Sequence, residues 1–386
     1  MTKASAGLGT KEFLVLLWAA AVTYTSLYGP QPLLSTIRQY FGVSSQAAGL
    51  VMTLAVLPLG LAPVCYGYVL NLCSTRRLIA VASALAAVLL FCSAACEDFL
   101  LFLVLRCLSG LLFPAVMLSV MTHLAVHCAP ERLQTVMVAY STATLIGAFV
   151  GRIGSGLLAS LTEWHVCLLV HGLLMASVLP FLGCLRSSAP VRQDVFSPRH
   201  VLEVLRQPGL ASLMLIGPLC IFGHASVLNL APFRMTELLP GVSEGGIGLV
   251  YLPAFVCCLL GVFSRKITRL LHGEMHNIRL GTLLVSLSAF LLLIPSPVAL
   301  FLVVLGITCG FVLVYTTLPG VVNRVSRARK SMTNGVYLSF YYLSAALGTW
   351  LPLQLYGHFG VPAYLACLLC AFFLALFFAH RNIRAL

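Results

Sequence analysis

Uncharged apolar stretches of membrane-spanning length recur along the whole sequence, and this feature decides most of what the chain can fold into. Twelve can be marked, at about 12–36, 46–70, 78–95, 99–125, 135–160, 165–185, 210–233, 246–264, 278–295, 298–321, 333–356 and 361–380. A helix crossing a bilayer takes about 20 apolar residues, so twelve crossings use about 240 of the 386 residues. Little is left for a soluble domain. Only 9% of residues are charged, against roughly 25% in soluble domains, which excludes an ordinary globular protein. The first stretch is too long for a signal-peptide core and leads straight into a second, so it is expected to be retained. Backbone polar groups in hydrocarbon must be satisfied internally. The expected fold is therefore an all-α membrane protein of twelve transmembrane helices.

Charge then orients the chain. The net charge is +13, from 23 Lys and Arg against 10 Asp and Glu. With the N-terminus placed in the cytoplasm, only Arg38 and Arg234 fall in outside loops. Arg106 and Arg152 lie within spans, and every other Lys and Arg falls inside. The positive-inside rule then puts both termini in the cytoplasm. Topology and anionic lipid account for the positive charge, and nothing asks for nucleic acid. The acidic residues all sit at span ends or in loops, so the spans carry arginine and no central carboxylate. The fourteen cysteines are scattered through apolar spans and read as small buried hydrophobes rather than a disulfide framework.

The longest hydrophilic stretch, 186–208, divides the chain into an N-terminal six-helix half (1–185) and a C-terminal six-helix half (209–386). The halves echo each other. Gly67 with Arg76 and Arg77 is matched by Gly261 with Arg265 and Arg269, about 194 residues on. Tyr140, Gly147 and Gly151 are matched by Tyr337, Ser344 and Gly348 at an offset of about 197. Prolines and glycines inside spans (Gly29, Pro30, Pro32, Gly217, Pro218, Pro232) predict kinks that neighbouring helices satisfy. Gly147 with Gly151 and Gly306 with Gly310 are small-residue pairs suited to close helix approach.

Several of these stretches resemble a known family. The segment from Gly67 through Asn71 to Arg76 and Arg77 resembles the loop signature between spans two and three of the major facilitator superfamily, with Asn71 where Asp is usual. The segment Arg106 to Gly110 resembles the span-four motif associated with proton coupling, with Ser109 in the place of Gln. The segment Gly147 to Gly156 is similar to the span-five antiporter motif, with Arg152 where Pro is usual. The Tyr28–Leu34 and Phe113–Val116 segments, Gly151 with Arg152, and Tyr341–Leu343 with Leu347 and Gly348 look like the YnfM-type branch of bacterial efflux proteins. The resemblance implies two pseudo-repeated halves, alternating access about a midplane site, and proton-linked efflux across a bacterial inner membrane. It also implies that spans one, four, seven and ten line a central cavity. That would aim Tyr24, Tyr28, Arg106, His224 and Tyr315 inward, and make Gly67, Asn71, Arg76, Arg77, Gly147 and Gly151 gating positions.

The candidate substrate-binding residues are Tyr24, Tyr28, Gln31, Arg106, Arg152, His224, Asn229, Tyr315, Tyr337 and Tyr341, with Arg106 and His224 also candidates for coupling. Tyr24, Tyr28 and Gln31 recur at helical spacing and share a face. A charge in hydrocarbon costs at least about 3 kcal/mol, so a buried arginine faces a cavity or a partner, or snorkels to the outer headgroups. His224 sits between Pro218 and Pro232 on a kinked span, and imidazole titrates near neutral pH unaided. His171 is a weaker candidate. His123 and His127 lie four apart, a spacing that permits metal, but no carboxylate or third ligand converges on them in the sequence. No metal or cofactor is expected, and the chain lacks a nucleophile elbow, an HExxH or a P-loop, so no enzyme is expected. Arginine without a buried carboxylate suits an anionic substrate, since guanidinium offers bidentate donors. The alternative is an exporter of neutral or cationic drugs or sugars in which the arginines are structural. A monomer is expected, in contact with membrane lipid and with protons as the coupling ion.

Reporter fusions after Leu386 and within 186–208 are both expected to read out cytoplasm. A periplasmic signal at either position would overturn the topology.

Overall fold

The computed structural model describes residues 8–186, 198–271, 273–326 and 330–383. Among them there are helices and no strands: α1 (Thr10–Tyr28), a 3-10 turn (Gln31–Leu33), α2 (Leu34–Phe41), α3 (Ser45–Leu72), α4 (Thr75–Ala94), α5 (Phe99–His127), α6 (Pro130–Leu161), α7 (Trp164–Ala176) and its 3-10 continuation (Leu179–Cys184), α8 (Pro198–Leu205), α9 (Leu210–Leu238), α10 (Glu244–Leu249), α11 (Leu252–Val262), α12 (Ser264–Leu270), α13 (Glu274–Ala289) with Phe290–Leu293, α14 (Pro297–Val325) and α15 (Lys330–Ile383). Polar breaks in the sequence act as caps, because the first amides of a helix lack intrahelical acceptors. Ser44 accepts from the Ala47 amide, Ser74 from Arg77, Asp98 from Leu101 and Ser243 from Gly246.

Nine helical stretches among the described residues are long and apolar enough to cross a membrane. Two shorter apolar helices, Ser45–Leu61 and Glu244–Cys257, lie on the second and eighth expected stretches. The last two expected stretches run together in α15, broken only at Gly360. Its φ of 74° is in the left-handed region, which glycine adopts without the Cβ clash other residues suffer. Each of the twelve expected stretches thus falls on helix. The first is bent: α1 stops at Tyr28, and the Gly29-Pro30-Gln31-Pro32 run turns through the 3-10 segment, since Pro32 has no amide to continue the ladder.

Backbones approach closely where glycine allows it. A Cβ at Gly147 would collide with the Ala21 carbonyl of α1, and one at Gly151 with the Thr25 carbonyl. A Cβ at Gly348 would collide with the Phe222 carbonyl of α9. Gly151 and Gly348 are separated by the same 197 residues as Thr25 and Phe222. The α1–α6 seam and the α9–α15 seam are therefore equivalent contacts, which makes the internal repeat a structural one.

The N-terminal and C-terminal helix sets meet along two further seams. On α3 and α15, Gly49 packs on Leu353 and the Thr53 and Thr349 hydroxyls are 2.9 Å apart. On α6 and α10, Gly156 packs against Gly248, and Thr36 donates to Glu244 at 3.0 Å nearby. Both seams lie toward the end of the bundle opposite Thr10. Toward the Thr10 end, Tyr68 and Leu72 of α3 and Val138 of α6 are exposed.

Alternating access requires the α3–α15 seam to open. In a cysteine-free background, the double variant Thr53→Cys/Thr349→Cys is expected to cross-link spontaneously and to lose transport until reduced. Undiminished transport in the cross-linked protein would show that this seam does not move.

Candidate functional site

The sequence-selected residues on α1 and α6 converge at the middle of the bundle. Tyr24 and Tyr28 are one helical turn apart, with ring centroids 6.1 Å apart. The Arg152 guanidinium lies over the Tyr28 ring at 4.2 Å, with the Phe149 and Tyr251 rings each at 5.7 Å. Arg152 Nε donates to Gln31 Oε1 at 2.7 Å and Nη1 to the Ala148 carbonyl at 3.2 Å. Gln31 reaches it because the Gly29–Pro32 bend turns that segment back over α6. Desolvated cation–π contacts are worth about 2 kcal/mol, which with the amide offsets part of the cost of burying the charge.

From Tyr24 the contacts cross to the C-terminal helices. Tyr24 and Tyr342 hydroxyls are 3.4 Å apart. Tyr342 meets Tyr341 edge-on at 5.2 Å, Tyr341 meets Tyr315 at 6.0 Å, and Tyr315 stacks on Phe311 at 5.5 Å. Phe311 stacks on His224 at 4.3 Å and 14°, and His224 Nε2 is 3.3 Å from the Thr308 hydroxyl. These contacts string eight side chains from Arg152 round to His224, an open ring that spans both helix sets. The ring contains one guanidinium, one imidazole and no carboxylate. Tyr337 packs behind Tyr341 at 6.2 Å, buried against Gly217.

Other sequence-selected residues lie outside the ring. Arg106, expected to face the cavity, is 0% exposed and packed among the N-terminal helices. Its Nη2 donates to the Leu27 carbonyl at 3.2 Å, while Nε and Nη1 find no acceptor among the described residues. His171, within electrostatic reach of it, bonds Ser155 at 3.1 Å. Arg106 projects from α5 onto the carbonyl side of α1 and not onto the Tyr24–Tyr28 face. Asn229 is buried in the α9–α15 contact, donating to the Thr349 carbonyl at 2.9 Å. Gly147 and Gly151 serve the α1–α6 seam. Arg76 donates to the Leu185 carbonyl of its own half at 3.3 Å, Arg77 is exposed and Asn71 half-buried. The surroundings of Gly67 lie outside the described residues.

Sequence reasoning passes over Phe311, Phe149 and Tyr251. Phe311 precedes Tyr315 by one helical turn, a signal that could have found it; Phe149 and Tyr251 carry none. A second correction concerns His123. A carboxylate does converge on it: Glu12, only 3% exposed, sits 2.9 Å from His123 Nε2. Glu12 also accepts from the Arg186 amide at 2.9 Å, with Arg186 Nε at 3.5 Å. Thr75 Oγ1 is 2.7 Å from His123 Nδ1, so α1, α4, α5 and the segment after α7 are tied at one end of the bundle. Among the described residues no three His, Cys, Asp or Glu side chains form a metal-sized group.

The profile of the Major Facilitator Superfamily matches residues 16–349. The chain belongs to the major facilitator superfamily. It is a multi-pass membrane transporter and not an enzyme. Among relatives of this transporter, an uncharacterized MFS-type transporter, YybF, of Bacillus subtilis (strain 168) is 26% identical over 342 residues, covering 85% of this chain and 82% of its own. The inner membrane transport protein YnfM of Escherichia coli (strain K12) is 25% identical over 253 residues, covering 63% and 61% respectively. The fold of this chain matches that of a bacterial homologue of the human lysosomal transporter Spinster, solved in an inward-facing and occupied conformation, with a TM-score of 0.75 at 14% identity over 97% and 96% of the two chains. A point mutant of the nucleoside transporter NupG matches with a TM-score of 0.72 at 13% identity over 96% and 99%.

The Glu12 cluster yields a stability prediction. Glu12→Ala strands His123 and the Arg186 amide without their acceptor, at about 1–3 kcal/mol for each buried group left unpaired. The purified variant is expected to melt several degrees below the parent, and an unchanged melting temperature would show that the cluster contributes nothing to folding.

Proposed function

We propose that this transporter is a secondary active exporter of a small organic anion, a carboxylate-bearing metabolite, working by proton-linked alternating access across a bacterial inner membrane. The observation that carries the reading is the ring itself: eight side chains, of which Arg152 is the cationic one and none is acidic. An exporter of lipophilic cations would be served by a buried carboxylate, for pairing and for proton exchange. The anion contact therefore belongs to Arg152, in the ring, with Arg106 holding α5 against α1. Halves 1–185 and 209–386, on either side of the 186–208 stretch, rock about a midplane site. His224, the one imidazole of the ring, is the candidate for proton coupling. The inner membrane location draws support from the name of the relative YnfM, an inner membrane transport protein, and the cytoplasmic termini from the basic-residue sorting.

The rival is an exporter of neutral or cationic drugs, which the aromatic walls favour because π-faces attract cations. A thermal-shift panel on purified protein, with carboxylates, tetraphenylphosphonium and sugars, separates the two, since a ligand bound to the native state raises its melting temperature. The best ligand is expected to be a carboxylate. Arg152→Ala should then weaken its binding by about ten- to a hundredfold, the loss of a charge-assisted contact of about 1.5–3 kcal/mol. Arg152→Lys should restore only part, lacking the planar fork. In membrane vesicles, collapsing the pH gradient should abolish accumulation, and His224→Gln should flatten its pH dependence. A cation as best ligand, or Arg152→Ala binding as tightly as the parent, would overturn the anion reading. Transport indifferent to the gradient would replace proton coupling with facilitated diffusion.

A further inference from the structure

Two thiols that the sequence scatters meet in the C-terminal helices. Cys257 of α11 and Cys309 of α14, 52 residues apart, bring their Sγ atoms to 3.0 Å. Side-chain atoms that are merely packed together sit about 3.5–4.0 Å apart. Cys257 Sγ also lies 3.4 Å from the Leu305 carbonyl, one helical turn before Cys309, so this thiol is seated against that turn of α14. A disulfide holds its sulfurs about 2.0 Å apart, so closing one here takes a movement of about 1 Å. The two thiols differ in access: Cys257 is buried and Cys309 half-buried. A thiol that meets a reagent beside a second that resolves it is the arrangement of a redox pair. Its position matters to the rest of the fold. Cys309 follows Thr308, the partner of His224, and Cys257 lies on α11, which follows α10, whose Gly248 packs on Gly156 of the other half.

We propose that Cys257 and Cys309 form a redox site that a hydroperoxide closes into a disulfide, stapling α11 to α14. The Cys309 sulfur attacks the terminal oxygen of the hydroperoxide. The O–O bond breaks, an alcohol leaves (water, from hydrogen peroxide), and Cys309 becomes a sulfenic acid. The Cys257 sulfur then attacks the sulfenic sulfur and expels water. One thiol proton departs on the alcohol and the other on the water, and the peroxide takes up the two electrons. A dithiol reverses the bond by thiol–disulfide exchange.

The test uses the purified full-length protein, treated with hydrogen peroxide from the aqueous side or with cumene hydroperoxide, which enters the apolar phase. Free thiols are then alkylated and the digest mapped by mass spectrometry. A peptide linking Cys257 to Cys309 is expected ahead of links between any other cysteines, and dithiothreitol should release it. A link formed by both oxidants supports the site with aqueous peroxide as a source, and one formed by cumene hydroperoxide alone supports it with a source in the lipid. Cys257→Ser should leave Cys309 as a sulfenic acid that dimedone traps, and Cys309→Ser should abolish that labelling. The oxidised parent is expected to melt several degrees above the reduced protein, since a link between residues so far apart in the chain restricts the unfolded state. Cys257→Ala should show no such rise. Absence of the Cys257–Cys309 peptide with both oxidants, or its appearance no faster than other cysteine links, would overturn the proposal. An unchanged melting temperature with the link in place would overturn the staple.

Discussion

Contact between bare helix backbones is what the rest of this molecule depends on. In lipid there is no hydrophobic drive to bring helices together, and they associate through packing and shared polar contacts. At Gly147 and Gly151 the α6 backbone reaches α1 without intervening side chains. That approach sets the register of the two helices, and the register places Arg152 over the Tyr28 ring and under Gln31. A side chain at Gly151 would push the helices apart and lift the guanidinium off its support. The equivalent approach of Gly348 to Phe222 sets α15 against α9, and with it the position of Tyr337 against Gly217.

The two buried arginines show two ways to hold a charge in a low-dielectric interior. Arg152 is covered by aromatic faces and one side-chain amide, a setting that shields the cation while leaving its field in the central space. Arg106 instead meets a single carbonyl inside the N-terminal bundle, with two nitrogens unsatisfied among the described residues. Motif and charge alone cannot distinguish these settings, because both arginines lie within predicted spans. The difference lies in what the opposing helix presents: an aromatic side-chain face to one, a carbonyl edge to the other.

The helices were legible in the sequence because lipid leaves one solution for an apolar stretch of this length. The Tyr24–Tyr28 face was legible from helical spacing, and the duplication from two near-equal offsets. What could not be read is non-local. Glu12 has the look of a solvated span end, and its burial depends on His123 and Arg186, 111 and 174 residues away. Phe149 and Tyr251 are ordinary core aromatics in sequence and become part of a cation's surroundings only once α6 and α11 are packed. Arg106, whose place on span four implied an inward aim, is buried and meets the Leu27 carbonyl, a contact 79 residues away in the sequence.

Duplication has preserved the seams and not the chemistry. At the 197-residue offset that pairs Gly151 with Gly348, the position matching Arg152 is Thr349, which sits in a seam and bonds Thr53. The charge belongs to one half and the stacked rings to the other, so neither half alone holds a complete site. The distance from guanidinium to stack is set by how the halves are packed, and under the proposed alternating access it changes as they rock. On that proposal the site is an assembled gap whose width differs between the states of the cycle, and an occupant touching both sides spans the moving parts of the machine.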